Sequence, residues 1–364
     1  MQVLATIGYI LLALLCLVAM VVIHEFGHYL AGKIFKFKIN EFAIGFGPPI
    51  FKHTSKKTGE VFSIRPLPLG GFCQFQDEDA DSKVEGAFNS KPAWQRLIVL
   101  FSGAFFNFVA ALIIITFFFT LYGQPLPTIY KVYGDSPNAE LLQQDDAIIK
   151  INGRNVNVLE EGDYNKILAN AGEEVSATIL RNGKTIKLTL HKANIASGKF
   201  DENGEFIPEI GVDGSPITFY GFGISTYVAP HKIPFLLSIG RAFSFMFFLV
   251  YKILALFGSL FTGKIGMENV GGPIATVNAM QSAARGGAAM LIYVVSLISA
   301  NLAVMNLLPL PALDGSRMLF CVIEMIFKKP INKKVEGIIH AAGFILLIGF
   351  ALFADVFRLI KLNI

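Results

Sequence analysis

An apolar run over about residues 4–31 carries His24-Glu25-Phe26-Gly27-His28 inside it. No other feature restricts the fold of this chain so much, because a stretch of that length and character reads as a membrane-crossing helix. On such a helix His24 and His28 stand one turn apart on one face, so both imidazoles can reach a single Zn²⁺. Glu25 follows at the adjacent angle, where it can take a proton from a zinc-bound water. A chance pentapeptide on an ordinary helix is the bland alternative. Ionisable groups are expensive at membrane depth and mark functional sites there by default. With only 6 His in the whole chain, that expense weighs against chance.

Hydrophobic residues make up 53% of the 364 positions and charged ones only 16%. An ordinary soluble domain carries about 25% charged residues, so an integral membrane protein with some soluble part is expected. The net charge of +4 comes without an aromatic-interleaved basic stripe, which argues against a nucleic-acid partner. Cys16, Cys73 and Cys321 are scattered and form neither a CxxC pair nor a disulfide framework. They read as small hydrophobes. The first run lacks a basic leader and a small-residue cleavage site, so it is expected to stay rather than be removed as a signal peptide.

Runs of spanning length occur at about 4–31, 97–122, 289–327 and 338–360. A fifth, about 233–262, is interrupted by Arg241 and Lys252 and contains Gly240 and Gly258. The stretch 33–96 holds ten Lys/Arg, and Lys328-Lys329-Pro330-Ile331-Asn332-Lys333-Lys334 separates the last two runs. The positive-inside rule places both on the cytoplasmic side. A crossing at 233–262 would send the four-lysine loop outside, so that segment reads as a surface-lying or half-inserted amphipathic helix. Four parts follow: 1–123 with the first two spans, 124–230 as a soluble insert, 231–288 as surface segment and linker, and 289–364 with the last two spans.

The insert has β-signals. Val175–Arg181 and Lys184–Leu190 flank Asn182-Gly183, a strong hairpin turn. Asp146–Gly153 and Ile129–Tyr133 read as further strands, and Glu160–Ala171 as a short helix stopped by Gly172. A small α+β domain of five or six strands and one or two helices is expected.

A zinc hydrolase site needs a third protein ligand and an open fourth position. The best candidate is Asp314, in Asn306-Leu307-Leu308-Pro309-Leu310-Pro311-Ala312-Leu313-Asp314-Gly315. Pro309 and Pro311 cannot both continue a helix, so the span is broken there. Broken helices at membrane depth survive only where the freed backbone faces protein or a wet cavity. Asp-Gly is also a common turn pair, which competes with the ligand reading. Depth separates the two. His24 lies roughly 30 Å down a helix entering from outside, at 1.5 Å per residue. With four spans, Asp314 reaches the same depth from the same side, near the cytoplasmic face. With five it would sit at the opposite face.

These residues resemble the site-2 protease family of intramembrane zinc metalloproteases, in its bacterial form with one periplasmic PDZ domain (regulator of sigma-E protease-like). Besides the histidine motif, Asn306–Gly315 matches the family pattern N-x-x-P-x-P-x-L-D-G. Gly45-Phe46-Gly47-Pro48 and Pro66-Leu67-Pro68-Leu69-Gly70-Gly71-Phe72 match segments that form a membrane-dipping β-hairpin in the family. Phe88–Arg96, Gly103-x-x-x-Asn107 and Gly272-Pro273-Ile274 match further features. The likeness covers nearly the whole chain.

The resemblance implies a polytopic α-helical membrane protein of four transmembrane helices, with the dipping hairpin and an inserted PDZ-like domain. It implies zinc held by His24, His28 and Asp314, and Glu25 as general base. It also implies that Asn107 and Asn306 hold the substrate or stabilise its reacting carbonyl. Hydrogen bonding between spans would explain either asparagine as well. Gly45 and Gly47 would lend a strand edge to an unwound substrate, though tight turns explain them too. The implied substrates are single-pass membrane proteins such as anti-sigma factors or remnant signal peptides. An upstream site-1 protease would trim them first, and the chain would reside in the bacterial inner membrane.

Two departures stand out. Ala104 follows Gly103 where the family often has proline, and Leu141-Leu142-Gln143-Gln144-Asp145-Asp146 replaces a G-L-x-x-G-D loop. A scaffold that binds partner tails through the insert is the rival from another class. A zinc site completed by Glu324 instead of Asp314 is a third reading.

Overall fold

The computed structural model describes residues 2–78, 80, 84–201, 206–266 and 270–361. The chain forms two compact units, Met1–Ile114 with Leu249–Ile364, and Ile115–Phe248. In the first unit, helix α1 (Gln2–Ile34) is followed by strands β1 (Ile39–Phe46), β2 (Phe51–Thr54), β3 (Val61–Ile64) and β4 (Leu67–Phe75), and then by helix α2 (Ala93–Leu121), which continues into the second unit. At 33 residues α1 exceeds the roughly 20 that a hydrocarbon core requires.

The expected hairpin is a larger structure, a four-stranded sheet in the order β2-β3-β1-β4. Pro48-Pro49 ends β1, since proline cannot donate to a ladder. Gly45 and Gly47 turn the chain in the left-handed region, at φ +88° and +100°. β1 then pairs parallel with β3 and antiparallel with β4. Gly45 therefore lies on an interior strand, contrary to the expectation that it offers an edge. Among the described residues, β2 and β4 are the outer strands of this sheet.

The second unit carries the insert. Strands β5 (Gln124–Val132), β6 (Ala147–Ile151), β7 (Arg154–Asn155), β8 (Glu174–Arg181), β9 (Lys184–His191) and β14 (Ile224–His231) form one sheet. Its order is β14-β5-β6-β8-β9, with β7 on β6. Helix α3 (Glu161–Ala169) opens on a capping box between Glu160 and Asp163. Ile129, Ile148, Val156, Tyr164, Ile179 and Leu190 pack into the core beneath them. The hairpin turns at Asn182-Gly183, both with positive φ, as the sequence predicts. Two further pairs carry no such signal: β10 (Ala193–Ala196) with β13 (Thr218–Gly221), and β11 (Gly198–Phe200) with β12 (Phe206–Pro208).

The departure at Leu141–Asp146 leaves the turn intact. Asp145 takes φ +68° where the resembling pattern has glycine. Asp146 is buried, accepts the Gln143 N–H at 2.8 Å and pairs with both faces of the Arg181 fork at 2.7 and 2.6 Å.

Helices α4 (Phe235–Phe261), α5 (Pro273–Arg285), α6 (Ala288–Leu307), α7 (Asp314–Phe327) and α8 (Lys333–Lys361) complete the chain. α4 runs unbroken through Gly240, Arg241, Lys252 and Gly258, so the interruptions seen in the sequence do not interrupt the helix. Arg241 is 1% exposed. Its guanidinium donates to the carbonyls of Ile149 at 2.9 Å and Val156 at 2.7 Å, and to the Gln124 carboxamide. Backbone dipoles thus replace the water this cation gives up. Among the described residues, α1, α2, α4, α6 and α8 are long and apolar enough to cross a membrane.

Replacing Arg241 with Leu strands those acceptors in an apolar pocket. We expect a loss of about 3 kcal/mol in the second unit. Limited proteolysis of the purified chain reads this as faster cleavage within 124–231.

Candidate active site

α1 and α2 run antiparallel at near-contact distance, and two glycines allow it. A Cβ on Gly27 would sit 2.4 Å from the Ser102 carbonyl oxygen. One on Gly103 would sit 2.5 Å from His28 Nε2 and 2.7 Å from His24 Cε1. Small residues permit this approach between membrane helices. It brings His28 Nδ1 to 2.8 Å from the Val99 carbonyl oxygen, which accepts its proton. That bond fixes the tautomer and leaves the His28 Nε2 lone pair free.

The other side of the site comes from the broken span. α6 ends at Leu307, the chain turns through 308–313, and α7 starts at Asp314. Leu310 N–H bonds to Leu308 O at 2.7 Å and Leu313 N–H to Leu310 O at 3.1 Å, so the turn satisfies part of its own backbone. The Ala312 N–H donates to His340 Nδ1 at 3.2 Å, and Ala312 itself is held at φ +76°. Non-glycine residues in that region carry strain of order 1–3 kcal/mol, and they cluster at functional sites. A Cβ on Gly315 would lie 2.2 Å from Leu308 O, so only glycine lets α7 start against the end of α6. Asp314 occupies the first turn of α7, where the helix dipole favours an ionised carboxylate.

The structure brings His24, His28 and Asp314 together. Asp314 Oδ2 lies 3.0 Å from His24 Nε2 and 3.2 Å from His28 Nε2, and the two imidazole nitrogens are 3.1 Å apart. With the His28 proton on Nδ1, electron-rich atoms face one another and call for a cation. A tetrahedral zinc with bonds of about 2.0–2.1 Å sets its ligands ~3.3 Å apart, close to this triangle. The buried Asp314 Oδ2 has no hydrogen-bond donor of its own, as a ligand atom should not. The residues fit the ion. Glu324 does not join them: it pairs with Arg96 at 2.5 Å.

Glu25 points to the side of this cluster, where its Oε2 accepts the Cys73 backbone N–H of β4 at 2.9 Å. A cavity of about 420 Å³ opens here, lined by His24, Glu25, His28, Phe72, Cys73 and Asp314. Glu41, Arg65 and Arg317 line it too, and charged groups of this kind keep a cavity wet. Burial pushes the Glu41 carboxyl up, but hydrogen bonds from Arg65 and Ser63 outweigh it and hold the group below its ordinary range.

Asn107 and Asn306 both reach His24. Their carboxamide nitrogens lie 3.5 and 3.4 Å from His24 Nδ1. Gly45 and Gly47 are not among the residues lining the cavity. Sequence reasoning gave no role to Gly27, Gly103 or the Cys73 backbone. Gly27 three residues after His24, and Gly103 four before Asn107, were the available signal for the first two.

A helical membrane scaffold holding a buried His₂Asp triad with a glutamate beside it defines the class: a polytopic membrane metalloenzyme. Residues 12–350 match the model of peptidase family M50. A protein of Fusobacterium nucleatum with the name "Putative zinc metalloprotease" is 33% identical over 352 residues, covering 95% of this chain and 97% of its own. Proteins of the same name from Clostridium perfringens and Clostridium acetobutylicum are 32% and 31% identical over 344 residues each. They cover 94% and 93% of this chain and 95% and 93% of their own. The chain belongs to peptidase family M50, the site-2 protease family. It is a multi-pass membrane zinc metalloprotease.

Gly103→Ala drives a methyl into both imidazoles. We expect zinc content, measured by atomic emission on the purified chain, to fall well below one ion per chain. Gly8→Ala, with nothing within 4 Å of its Cβ, is the control that keeps it.

Proposed function

We propose that this chain hydrolyses a peptide bond within the transmembrane segment of a single-pass membrane protein already shortened outside. The observation that carries this reading is the His24–His28–Asp314 triangle with Glu25 beside it, set in an apolar helix. His24, His28 and Asp314 hold the zinc ion. When bound, zinc supplies the Lewis acidity that activates water and polarises the scissile carbonyl. Glu25 takes the proton from the attacking water and passes it to the departing amine. Its bond to Cys73 N–H holds the carboxylate toward the cavity through which water arrives. The Asn306 carboxamide, half-buried at the end of α6, donates to the carbonyl oxygen as charge builds there.

A substrate helix must unwind before its backbone can reach the cluster, and its freed N–H and C=O groups need partners in lipid. The outer edge of β4 offers them by strand addition. Phe72 and Cys73 on this strand also line the cavity.

Helix directions bear on the number of spans. α2 runs antiparallel to α1, from Val99 beside His28 to Asn107 beside His24, and so heads toward the N-terminal end of α1. α6 ends at Asn306 beside His24, and Arg285, just before its start, bonds Thr6 near the N-terminal end of α1. The chain between α2 and α6 therefore returns to the side it left. α5, at 13 residues, rises only about 20 Å and cannot make a return crossing of a core about 30 Å thick. α4 is then not a lone crossing, which favours four spans with α4 against the membrane surface.

The bacterial relatives and the basic loops favour a bacterial inner membrane, with the site toward the cytoplasm and the insert outside. The insert is PDZ-like and gates or binds pre-trimmed substrates of the anti-sigma-factor or remnant-signal-peptide type. Glu25→Gln should keep its zinc and lose cleavage of a model single-span substrate in proteoliposomes. Undiminished cleavage by that variant sinks the mechanism.

A further inference from the structure

The geometry points to Asn107 as the residue that positions His24, by accepting the proton on His24 Nδ1; the inference rests on the zinc reading above. A histidine that gives Nε2 to a metal carries its proton on Nδ1 and needs an acceptor there. His28 has one in the Val99 carbonyl. Around His24 Nδ1 stand the carboxamide nitrogens of Asn107 and Asn306, both donors as placed, at 3.5 and 3.4 Å. Three N–H groups facing one another is an arrangement that no charge state of a zinc-bound imidazole relieves. One carboxamide must be turned, since the orientation of an amide follows from the hydrogen bonds it makes.

Asn107 is the one to turn. It is 0% exposed, and its Oδ1 is buried with no hydrogen-bond partner. Turned, Oδ1 meets His24 Nδ1–H, and the donor-to-donor contact between these two residues is gone. The backbone at this point is pinned as well, because Ser299 Oγ donates to the Asn107 carbonyl at 3.0 Å and ties α6 to α2. Asn306 keeps its N–H₂ group, half-buried and free to donate toward a substrate. The two asparagines thus divide the work: one serves the ligand, the other the reacting carbonyl. This departs from the expectation that both bind substrate.

The test is zinc affinity of the full-length chain in detergent, by competition with a chromophoric chelator. Loss of an outer-shell partner of this kind costs 10–100-fold in metal affinity. Asn107→Leu should therefore bind zinc 10–100-fold more weakly while keeping its size-exclusion profile. Asn107→Val stands in if the leucine does not fold. Asn107→Asp, which retains an acceptor, should restore affinity to within a few-fold of the parent. Asn306→Leu should bind zinc like the parent. Unchanged affinity in Asn107→Leu, or an equal loss in Asn306→Leu, overturns the assignment. A parent without zinc, or His24→Ala that retains it, overturns the zinc reading itself and this inference with it.

Discussion

Placing two imidazoles and two carboxylates inside apolar helices is the constraint from which the rest of the structure follows. Each group left unpaired there would cost several kcal/mol, so every one must find a partner at contact range. Partners at that range require backbones closer than ordinary side chains allow. Gly27 against Ser102 and Gly103 against the imidazoles supply the approach between α1 and α2. Gly315 against Leu308 supplies it where α7 begins. The tight helix packing is therefore a consequence of the chemistry, not a separate design.

The same constraint explains the break between α6 and α7. An uninterrupted helix would have no free amino-terminal end at this depth to favour the Asp314 charge. Interrupting it frees backbone groups that lipid cannot satisfy, and the turn answers with its own short bonds and with His340 from α8. Gly343 brings α8 against the break, since a Cβ there would lie 2.1 Å from the Pro311 Cβ. The strained Ala312 is held in place by this packing.

Much of this was legible in the sequence because it rests on local rules. Spacing put His24 and His28 on one face, the prolines located the break, and apolar runs gave the long helices. Asn182-Gly183 gave the hairpin. What was not legible depends on contacts between distant segments. Arg241 read as an interruption because nothing local says that the Ile149 and Val156 carbonyls would surround it. The dipping hairpin became a four-stranded sheet because the parallel pairing of β1 with β3 is set by tertiary geometry. That pairing closes the edge at Gly45 and leaves β4 as an outer strand. The position of Asp145 was read as a lost glycine, yet aspartate tolerates the left-handed region well enough to keep the turn.

Glu25 joins the two halves of the site in a way neither motif reveals alone. Its carboxylate is one residue from a zinc-ligand candidate on α1 and is bonded to the backbone of β4. A strand added to the outer edge of β4 would therefore run toward Glu25, the proposed general base. The register of such a strand is limited at Cys73, whose N–H is already taken by Glu25. With the Phe75 N–H given to Glu78 at 3.4 Å as well, an incoming backbone would pair with the stretch before Cys73. In the proposed reaction, recognition and proton transfer would then share a boundary at Cys73.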